Sequence, residues 1–488
     1  MKAKIGICFI LLFFAAAGSG CVSRPDNPPD EGIENLEEIE GLWLGNLEVR
    51  AGVELRLLFN ISAGANGSAI VTLDSLDQGA SGIPVEGVSY KDGKLKLEAR
   101  SIRGIFEGTV REDGSGIEGR WKQGPADIPL VLERIDKAPD MSRPQDPVKP
   151  YPYREEEVTF ENKEAGIELA GTLTLPEVSR EEAGPYPAVL LISGSGQQDR
   201  NEEIFGHRPF LVLADSLTRR GIAVLRVDDR GVGGSGGDPS LATTEDFVGD
   251  ALAGVEYLKN REEIDQAGIG LIGHSEGGLI APLAAVRDPD IAFIVLMAGP
   301  GLSGEEIIYL QSALIAGAMG EDAEAIERNR ALQESIFTVL KEEKNNTVAG
   351  PKIRELIMNS LAGLSEEEKQ NSGYTEESID PQVQVLVSPW MRHFLSYDPR
   401  PALMEVKCPV LAINGEKDLQ VPPEENLQAI EEALEAGGNP DYTIKEMPGL
   451  NHLFQTAETG SPSEYGNIQE TVSPSVLELI GAWILNHS

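Results

Sequence analysis

The chain has 488 residues, of which 41 are Lys or Arg and 80 are Asp or Glu, so its formal net charge is −39 at pH 7. A chain this acidic lacks the basic surface that binds the phosphates of DNA or RNA, and surface charge would not draw it to an anionic membrane. Its hydrophobic content of 41% is that of a globular protein rather than a disordered one. At about 150 residues per domain, the length predicts two or three domains.

The N-terminus has the layout of a secretory signal peptide over residues 1–20. Lys2 and Lys4 precede an apolar run from Ile5 to Ala17, which is too short to span a membrane. Small residues then lead to Cys21, an arrangement that resembles a lipoprotein signal, in which the cysteine receives a lipid. We expect export with a lipid anchor at Cys21. Plain secretion and an uncleaved anchor are the alternatives.

Cysteine usage sets the expected covalent chemistry of the mature chain. Cys8 would leave with the signal and Cys21 would be acylated, so Cys408 would be the one remaining thiol and no internal disulfide is expected. Cys408 opens an apolar run and is expected to be a buried small hydrophobe. The Cys and His residues do not have zinc-site spacing, so we expect no structural metal. The sequence implies no cofactor.

The next segments change from a polar tether to a β-rich pattern. Residues 21–40 are rich in Pro, Asp, Asn and Glu and predict a solvated tether. Over residues 41–136, short alternating runs are separated by turn residues, including the hairpin pairs Asp92-Gly93 and Asp113-Gly114. We expect about eight strands in a small antiparallel barrel-like domain or sandwich. A ligand-holding cup is an alternative use of this domain, but the sequence supplies no polar group of residues for it.

A proline-rich linker over residues 137–156 precedes a different pattern, in which apolar strand-like runs alternate with helix-length segments. These runs are Leu169–Leu175, Ala188–Ile192, Ala223–Val227, Gly270–Ile272, Phe293–Met297, Val410–Ile413 and Tyr442–Met447. Continuous apolar runs are typical of parallel strands that helices cover on both faces. Residues 301–390 are helix-like throughout and predict a cap over the carboxyl edge of the sheet. The prediction for residues 157–488 is therefore an α/β domain with a helical cap.

A candidate nucleophile lies between one of these runs and a helical segment. The sequence Gly273-His274-Ser275-Glu276-Gly277 follows the run at residues 270–272 and precedes the helical residues 279–286. In this context G-x-S-x-G predicts a nucleophile elbow, a tight turn that lifts a serine hydroxyl out of the sheet. His274 adjoins the serine within the turn, so its side chain is expected to point elsewhere.

A serine hydroxyl needs a base, and the base needs an acid that orients it. Among the five histidines, His452 follows the last predicted strand and is the expected base, with His393 near the end of the cap as the alternative. The acid should lie between serine and histidine in the chain. Asp418, after the run at residues 410–413, is the expected acid, and Glu416 is the alternative.

Acyl transfer also needs two N–H donors aimed at the developing oxyanion. The backbone N–H of Glu276, directly after the serine, is one expected donor. The second is expected from the loop that follows the run at residues 188–192, where Gly194 and Gly196 permit close backbone approach. We assign it to the N–H of Ser195, with Gly196 as the alternative. A phosphate loop is disfavoured because the segment lacks the lysine of that motif.

With these segments in this order, the sequence resembles the α/β-hydrolase superfamily, specifically its esterase and serine aminopeptidase-like branch. The resemblance covers about residues 157–488 and rests on residues 192–200, 228–235, 273–278, 414–422 and 451–452. It implies the α/β-hydrolase fold, with the acid after the penultimate strand, and a structural role for the turn at residues 228–235. The β domain and Ser193, where relatives often have His, depart from the family pattern.

The functional prediction is a serine carboxylesterase acting on a small-molecule ester. Ser275 would attack the carbonyl, His452 would accept its proton, and Asp418 would orient the imidazole. The N–H groups of Ser195 and Glu276 would hold the oxyanion, and water would then cleave the acyl-enzyme. A peptidase of the same fold and a non-catalytic, surface-tethered binding protein are the alternatives. Against the peptidase, the N-terminal domain of roughly 95 residues is too short for the propeller that gates prolyl oligopeptidase relatives.

Overall fold

A computed structural model describes residue 33 and residues 35–50, 53–64, 68–76, 80–123, 126–139, 143–177, 185–364 and 376–488. The described residues fall into two compact units. One contains the chain up to Arg143 together with Glu203–His207, and the other contains Pro144–Glu202 and Arg208–Ser488. The predicted signal, Cys8 and Cys21 lie outside the described residues. No described helix is long and apolar enough to cross a membrane.

The first unit begins with a short helix and continues as a single antiparallel sheet. Its elements are α1 (Leu36–Ile39), β1 (Gly41–Arg50), β2 (Val53–Ala63), β3 (Ala69–Ser75), β4 (Ala80–Pro84), β5 (Gly87–Lys91), β6 (Lys94–Ala99), β7 (Gly104–Val110), β8 (Gly116–Gln123) and β9 (Ala126–Ile135). The strand order is β4-β3-β2-β1-β9-β8-β7-β6-β5. The sequence predicted about eight strands, and the described residues form nine in one sheet rather than a two-sheet sandwich.

This sheet curls around its own core, as the barrel-like prediction requires. The rings of Phe59 on β2 and Phe106 on β7 lie 6.0 Å apart, although four strand spacings, about 19 Å in a flat sheet, separate those strands. Trp121 packs against Phe59 at 6.2 Å. A Cβ on Gly104 would lie 2.3 Å from the Trp121 ring, so glycine makes room for an aromatic side chain. The concave face is therefore filled by aromatic packing.

The end of the predicted tether is part of this unit. The prediction of a solvated segment over residues 21–40 is wrong for α1, because Ile39 is fully buried. The indole N–H of Trp43 donates to the carbonyl of Ile39 at 2.7 Å. An apolar residue inside an acidic stretch thus anchors the end of the tether to the core of the sheet.

The second unit is built on an eight-stranded sheet in the order β10-β11-β13-β12-β14-β15-β16-β17. The strands are β10 (Tyr153–Asn162), β11 (Ile167–Pro176), β12 (Tyr186–Ile192), β13 (Ala223–Val227), β14 (Ile264–His274), β15 (Phe293–Met297), β16 (Val410–Gly415) and β17 (Tyr442–Met447). The strands β10 and β11 run antiparallel to their neighbours, and the pairs from β13 to β17 are parallel. Each of the seven predicted runs lies in one of these strands.

Helices cover both faces of the second sheet and form an insertion after β15. They are α2 (Pro209–Thr218), α3 (Thr244–Lys259), α4 (Gly277–Arg287), α5 (Gly304–Ala318), α6 (Ala323–Glu342), α7 (Asn346–Ala362), α8 (Glu376–Leu386), α9 (Pro389–Ser396), α10 (Arg400–Glu405), α11 (Pro423–Ala436) and α12 (Pro474–Leu485). Helices α5 to α8 lie within the predicted cap and α9 extends past its end. The five helices share a hydrophobic core that also includes Leu279 of α4 and Val421. The described residues of the cap contain no strand.

The edge strand β10 was missed by the sequence prediction. Its first four residues fall inside the segment predicted as a linker, residues 137–156. The strand carries the charged run Arg154–Glu157 and lacks a continuous apolar stretch, so it has no buried-strand pattern. Arg154 pairs with Glu156 at 2.8 Å and with Glu263 at 2.6 Å. Ion pairs along an exposed edge thus accompany this strand where the inner strands have apolar burial.

Candidate active site

Ser275 lies at a strained turn between β14 and α4. Its φ of 51° is in the left-handed region, which costs a non-glycine residue free energy and is typical of functional turns. The Ser275 N–H donates to the carbonyl of Met297 on the neighbouring strand at 2.9 Å. A Cβ on Gly273 would lie 2.0 Å from the Gly277 carbonyl oxygen, so the turn leaves no room for a side chain there. Both glycines of the motif are therefore needed for this geometry.

His452 and Asp418 are hydrogen-bonded to each other. Nδ1 of His452 lies 2.7 Å from Oδ2 of Asp418, and the Asp418 side chain is fully buried. The other Asp418 oxygen accepts the N–H groups of Gln420 and Val421 at 2.8 and 2.9 Å. A carboxylate held in this way selects the His452 tautomer that carries its proton on Nδ1, which leaves Nε2 free to accept one.

The loops that carry these two residues touch. A Cβ on Gly415, at the end of β16, would lie 2.3 Å from the carbonyl oxygen of Leu450. This close backbone approach brings the loop after β16 against the loop after β17. The ring of His452 in turn lies 4.9 Å from the ring of His274, the residue that precedes Ser275. The expected base therefore lies beside the elbow.

The two alternative residues lie elsewhere. Glu416 accepts the N–H of Gly449 at 2.7 Å with an exposed side chain, whereas Asp418 is the acid that meets His452. His393, on α9, stacks on Tyr397 at 5.6 Å. Burial lowers the pKa of His393. The geometry thus joins Asp418 to His452 and leaves both alternatives outside that pair.

The loop that was expected to supply an oxyanion donor lies against the serine. A Cβ on Gly194 would be 3.2 Å from Cβ of Ser275. Within the part of the chain that the structure describes, the backbone N–H groups of Ser195 and Glu276 donate no hydrogen bond to another protein atom. The N–H of Gly194, by contrast, donates to Glu202 at 2.7 Å. The N–H groups of the two predicted donors are therefore available to a ligand, whereas the N–H of Gly194 is already hydrogen-bonded.

Buried carboxylates tie this loop to its surroundings. Asp229 accepts the hydroxyl of Ser193 at 2.6 Å and the N–H of Gln198 at 2.9 Å. Burial raises the pKa of Asp229 to about 8. Burial opposes ionisation of Asp228 too, but the Arg200 guanidinium, 2.7 Å away, holds the pKa of Asp228 below its usual range. The turn at residues 228–235, for which the resemblance implied a structural role, thus holds the loop that carries Ser195.

Glu276 contributes a buried carboxylate as well as its backbone. One oxygen accepts the Thr244 hydroxyl at 2.7 Å, and both accept the indole N–H of Trp390, on α9, at 2.9 and 3.0 Å. The Ser195 hydroxyl is also hydrogen-bonded to it, and burial raises the pKa of Glu276. The Glu276 side chain therefore links the elbow, the loop that carries Ser195, α3 and the cap. From the sequence, only the backbone N–H of this residue was expected to take part.

His274 and Glu202 form a contact that the sequence analysis missed. The ring nitrogens of His274 lie 2.8 Å from Glu202 and 3.1 Å from the carbonyl of His452. Glu202 stands 72 positions away in the chain, where no motif marks it. Among the described residues, no group of three or more His, Cys, Asp or Glu has the arrangement of a metal site.

Comparisons with known proteins agree with this architecture. A family model described as "Serine aminopeptidase, S33", of the Hydrolase_4 family, matches residues 208–348. The second unit has the mostly parallel sheet with helices on both faces that is typical of the α/β-hydrolase fold. The chain is 26% identical over 336 residues to Esterase EstD of Thermotoga maritima, covering 67% of this chain and 68% of that one. These likenesses support a hydrolase.

Solved structures also resemble this chain. The Pyrococcus furiosus esterase Pf2001 has a TM-score of 0.36 and 20% identity, covering 61% of this chain and 82% of that one. The structure of Est1E from Butyrivibrio proteoclasticus, with ferulic acid bound, has a TM-score of 0.38 and 18% identity. It covers 68% of this chain and 98% of that one.

Proposed function

We propose that this protein hydrolyses carboxylic esters of small molecules through an acyl-enzyme formed on Ser275. His452 takes the hydroxyl proton on Nε2 as Ser275 attacks the carbonyl carbon. The proton then passes to the leaving alcohol, and His452 activates a water that cleaves the acyl-enzyme. Asp418 keeps the imidazole in the reactive tautomer and stabilises the imidazolium.

The observation that carries this proposal is the 2.7 Å hydrogen bond between His452 and Asp418 beside the strained elbow of Ser275. A buried carboxylate bonded to one ring nitrogen is what a general-base histidine requires. The same pair has no evident purpose in a protein that only binds. This weighs against the non-catalytic alternative.

The oxyanion would be held by the N–H groups of Ser195 and Glu276. Donors that are unengaged in the protein are available to a negative charge that develops on the substrate. The 11-residue helix α4 begins at Gly277, so its positive end also faces the reacting carbonyl. Removal of one such donor typically costs about 100- to 1,000-fold in kcat.

Ester rather than peptide hydrolysis is supported by the relative named Esterase EstD, which matches across two thirds of the chain. An aminopeptidase is the second candidate, because the family model that matches residues 208–348 carries that description. Rates on p-nitrophenyl esters of increasing acyl length and on aminoacyl p-nitroanilides separate the two. We expect turnover of the esters, with at least 100-fold lower kcat/KM on the anilides. The reverse preference would make the protein a peptidase.

A fluorophosphonate probe tests whether Ser275 is a nucleophile at all. The wild type should be labelled covalently, and Ser275→Ala should lose the label. Ser396→Ala, at an exposed position of α9, is the matched control and should keep it. An unlabelled wild type, or a label that survives Ser275→Ala, would instead favour the non-catalytic, tethered binding protein.

We also propose export and lipid attachment at Cys21, on the sequence pattern of residues 1–21. Such a lipid would bring the acidic protein to a membrane that its charge does not attract. The full chain and Cys21→Ser should be expressed in a bacterium that processes lipoproteins, and the membrane and soluble fractions compared. Wild type in the membrane fraction and Cys21→Ser outside it is the expected result. Equal partition of the two would contradict it.

A further inference from the structure

His274 is held between two hydrogen-bond acceptors. Its Nδ1 lies 2.8 Å from Oε1 of Glu202, and its Nε2 lies 3.1 Å from the carbonyl oxygen of His452. A carbonyl oxygen has no proton to give, so Nε2 must donate. Oε1 of Glu202 also accepts the N–H of Gly194 at 2.7 Å. If that oxygen accepts from Nδ1 as well, both ring nitrogens donate and His274 is an imidazolium.

We propose that His274 and Glu202 form a buried ion pair that positions the loops on both sides of Ser275, and that the charge of His274 sets the acid limit of activity. This inference rests on the proposed function, because the acid limit is the pH at which His452 can no longer act as a base. Neither residue is assigned a chemical step. Both act as positioning residues.

The pair connects two parts of the proposed machinery. Through His274 it holds the backbone carbonyl of His452, and through Glu202 it holds the N–H of Gly194, next to the proposed oxyanion donor Ser195. The distance from base to oxyanion donor is thus set by one pair of side chains. A displacement of about 1 Å in such a constellation can cost 100-fold in rate.

Two features of Glu202 cost free energy, and packing alone does not explain them. Its φ of 51° is in the left-handed region, which costs about 1 kcal/mol or more for a non-glycine residue. Its second oxygen, Oε2, is buried without a hydrogen-bond partner among the described residues. Strain and unmet polar groups are tolerated mainly where function needs them.

The charge of His274 faces three loops. Glu202 approaches from the loop after β12, Asp418 from the loop after β16, and His452 from the loop after β17. Burial disfavours the charged form of His274, but the Glu202 carboxylate and the His452 carbonyl outweigh it and raise the pKa of His274. The two imidazole rings are 4.9 Å apart. A charge on His274 at this distance repels further positive charge on the ring of the base.

The pH dependence of kcat/KM on a p-nitrophenyl ester tests this in the full-length protein. His274→Gln removes the charge but keeps a donor for Glu202, and the acid limb should move to higher pH by about one unit. Glu202→Gln should lower kcat with a smaller shift of that limb, because the charges of Glu202 and His274 disappear together. His487→Gln, on the last turn of the chain, is the control and should match the wild type. A wild-type acid limb in His274→Gln would overturn the proposal.

A second measurement does not depend on activity. In the Ser275→Ala protein labelled with ¹⁵N-histidine, the His274 signals are identified by their loss in the Ser275→Ala, His274→Gln double variant. Both ring nitrogens of His274 should show the shifts of a protonated imidazolium at neutral pH. A neutral ring, with the proton on Glu202, would overturn the ion pair. An inactive wild type together with a charged His274 would refute the proposed function and leave the ion pair standing.

Discussion

Trp390 of the cap donates its indole N–H to both carboxylate oxygens of Glu276, at 2.9 and 3.0 Å. Glu276 directly follows the proposed nucleophile, so a cap helix is hydrogen-bonded to the elbow itself. Trp390→Phe leaves a buried carboxylate short of a donor, which should cost about 1–3 kcal/mol in the free energy of unfolding measured in urea.

Trp483→Phe is the matched control for that experiment. Trp483 is buried in the second unit, whereas Trp390 is partly buried, and the indole nitrogen of Trp483 has no hydrogen-bond partner among the described residues. This variant loses ring volume without losing a hydrogen bond, so it should be the less destabilised of the two. Equal losses would mean that the bond between Trp390 and Glu276 contributes nothing.

Asp418→Asn should lower kcat by about 10,000-fold with little change in KM. The amide can donate to Nδ1 of His452 and so favours the wrong tautomer, as in Ser-His-Asp triads. Glu416→Gln distinguishes the two acids considered from sequence and should stay within a few-fold of the wild type in kcat, because Glu416 contacts Gly449 instead. Steady-state kinetics on a p-nitrophenyl ester measure both. A larger loss in Glu416→Gln would exchange their roles.

Gly273→Ala should unfold the elbow rather than only slow the reaction. Its methyl group would lie 2.0 Å from the carbonyl oxygen of Gly277, which is backbone and cannot rotate away. Gly317→Ala, in the helix α5, meets nothing within 4 Å and should instead raise stability by up to about 1 kcal/mol. Thermal unfolding of the two variants should therefore shift in opposite directions. A Gly273→Ala protein with the wild-type melting temperature would contradict the close contact.

Asp229 should make stability fall with rising pH. Burial raises its pKa to about 8, against about 3.9 in an unfolded chain, so the folded state binds the extra proton between these values. The resulting stabilisation is complete below about pH 4 and is lost as the pH rises through 8.

Urea unfolding of the wild type and Asp229→Asn at pH 5, 7 and 9 measures this contribution. The difference in free energy of unfolding should move in favour of Asp229→Asn as the pH rises, because asparagine has no proton to lose. Asp136→Asn, at an exposed aspartate of the first unit, should give a difference that does not vary with pH. A constant difference for Asp229→Asn would show that its carboxylate is already ionised at pH 5.

Much of the second unit could be predicted from the sequence because the patterns that mark its elements are local. The five inner parallel strands, β12 to β16, are continuous apolar runs, and all five were found. The elbow needs glycines two residues either side of its serine. The edge strand β10 was missed because its charged run Arg154–Glu157 is compatible with a solvated edge and with a linker alike. The buried Ile39 was missed for the opposite reason, since one apolar residue in an acidic stretch makes no pattern.

The sequence by itself determined the inner strands in chain order, the elbow of Ser275 and the loops in which an acid and a base should stand. Tertiary structure decided which acidic side chain of the first loop meets His452. Asp418 and Glu416 are two residues apart on one turn, and only the fold buries the first against His452 and leaves the second exposed. It also joined His274 to Glu202, 72 positions apart. Hydrogen bonds across such distances depend on how strands pack, and no local pattern of residues encodes them.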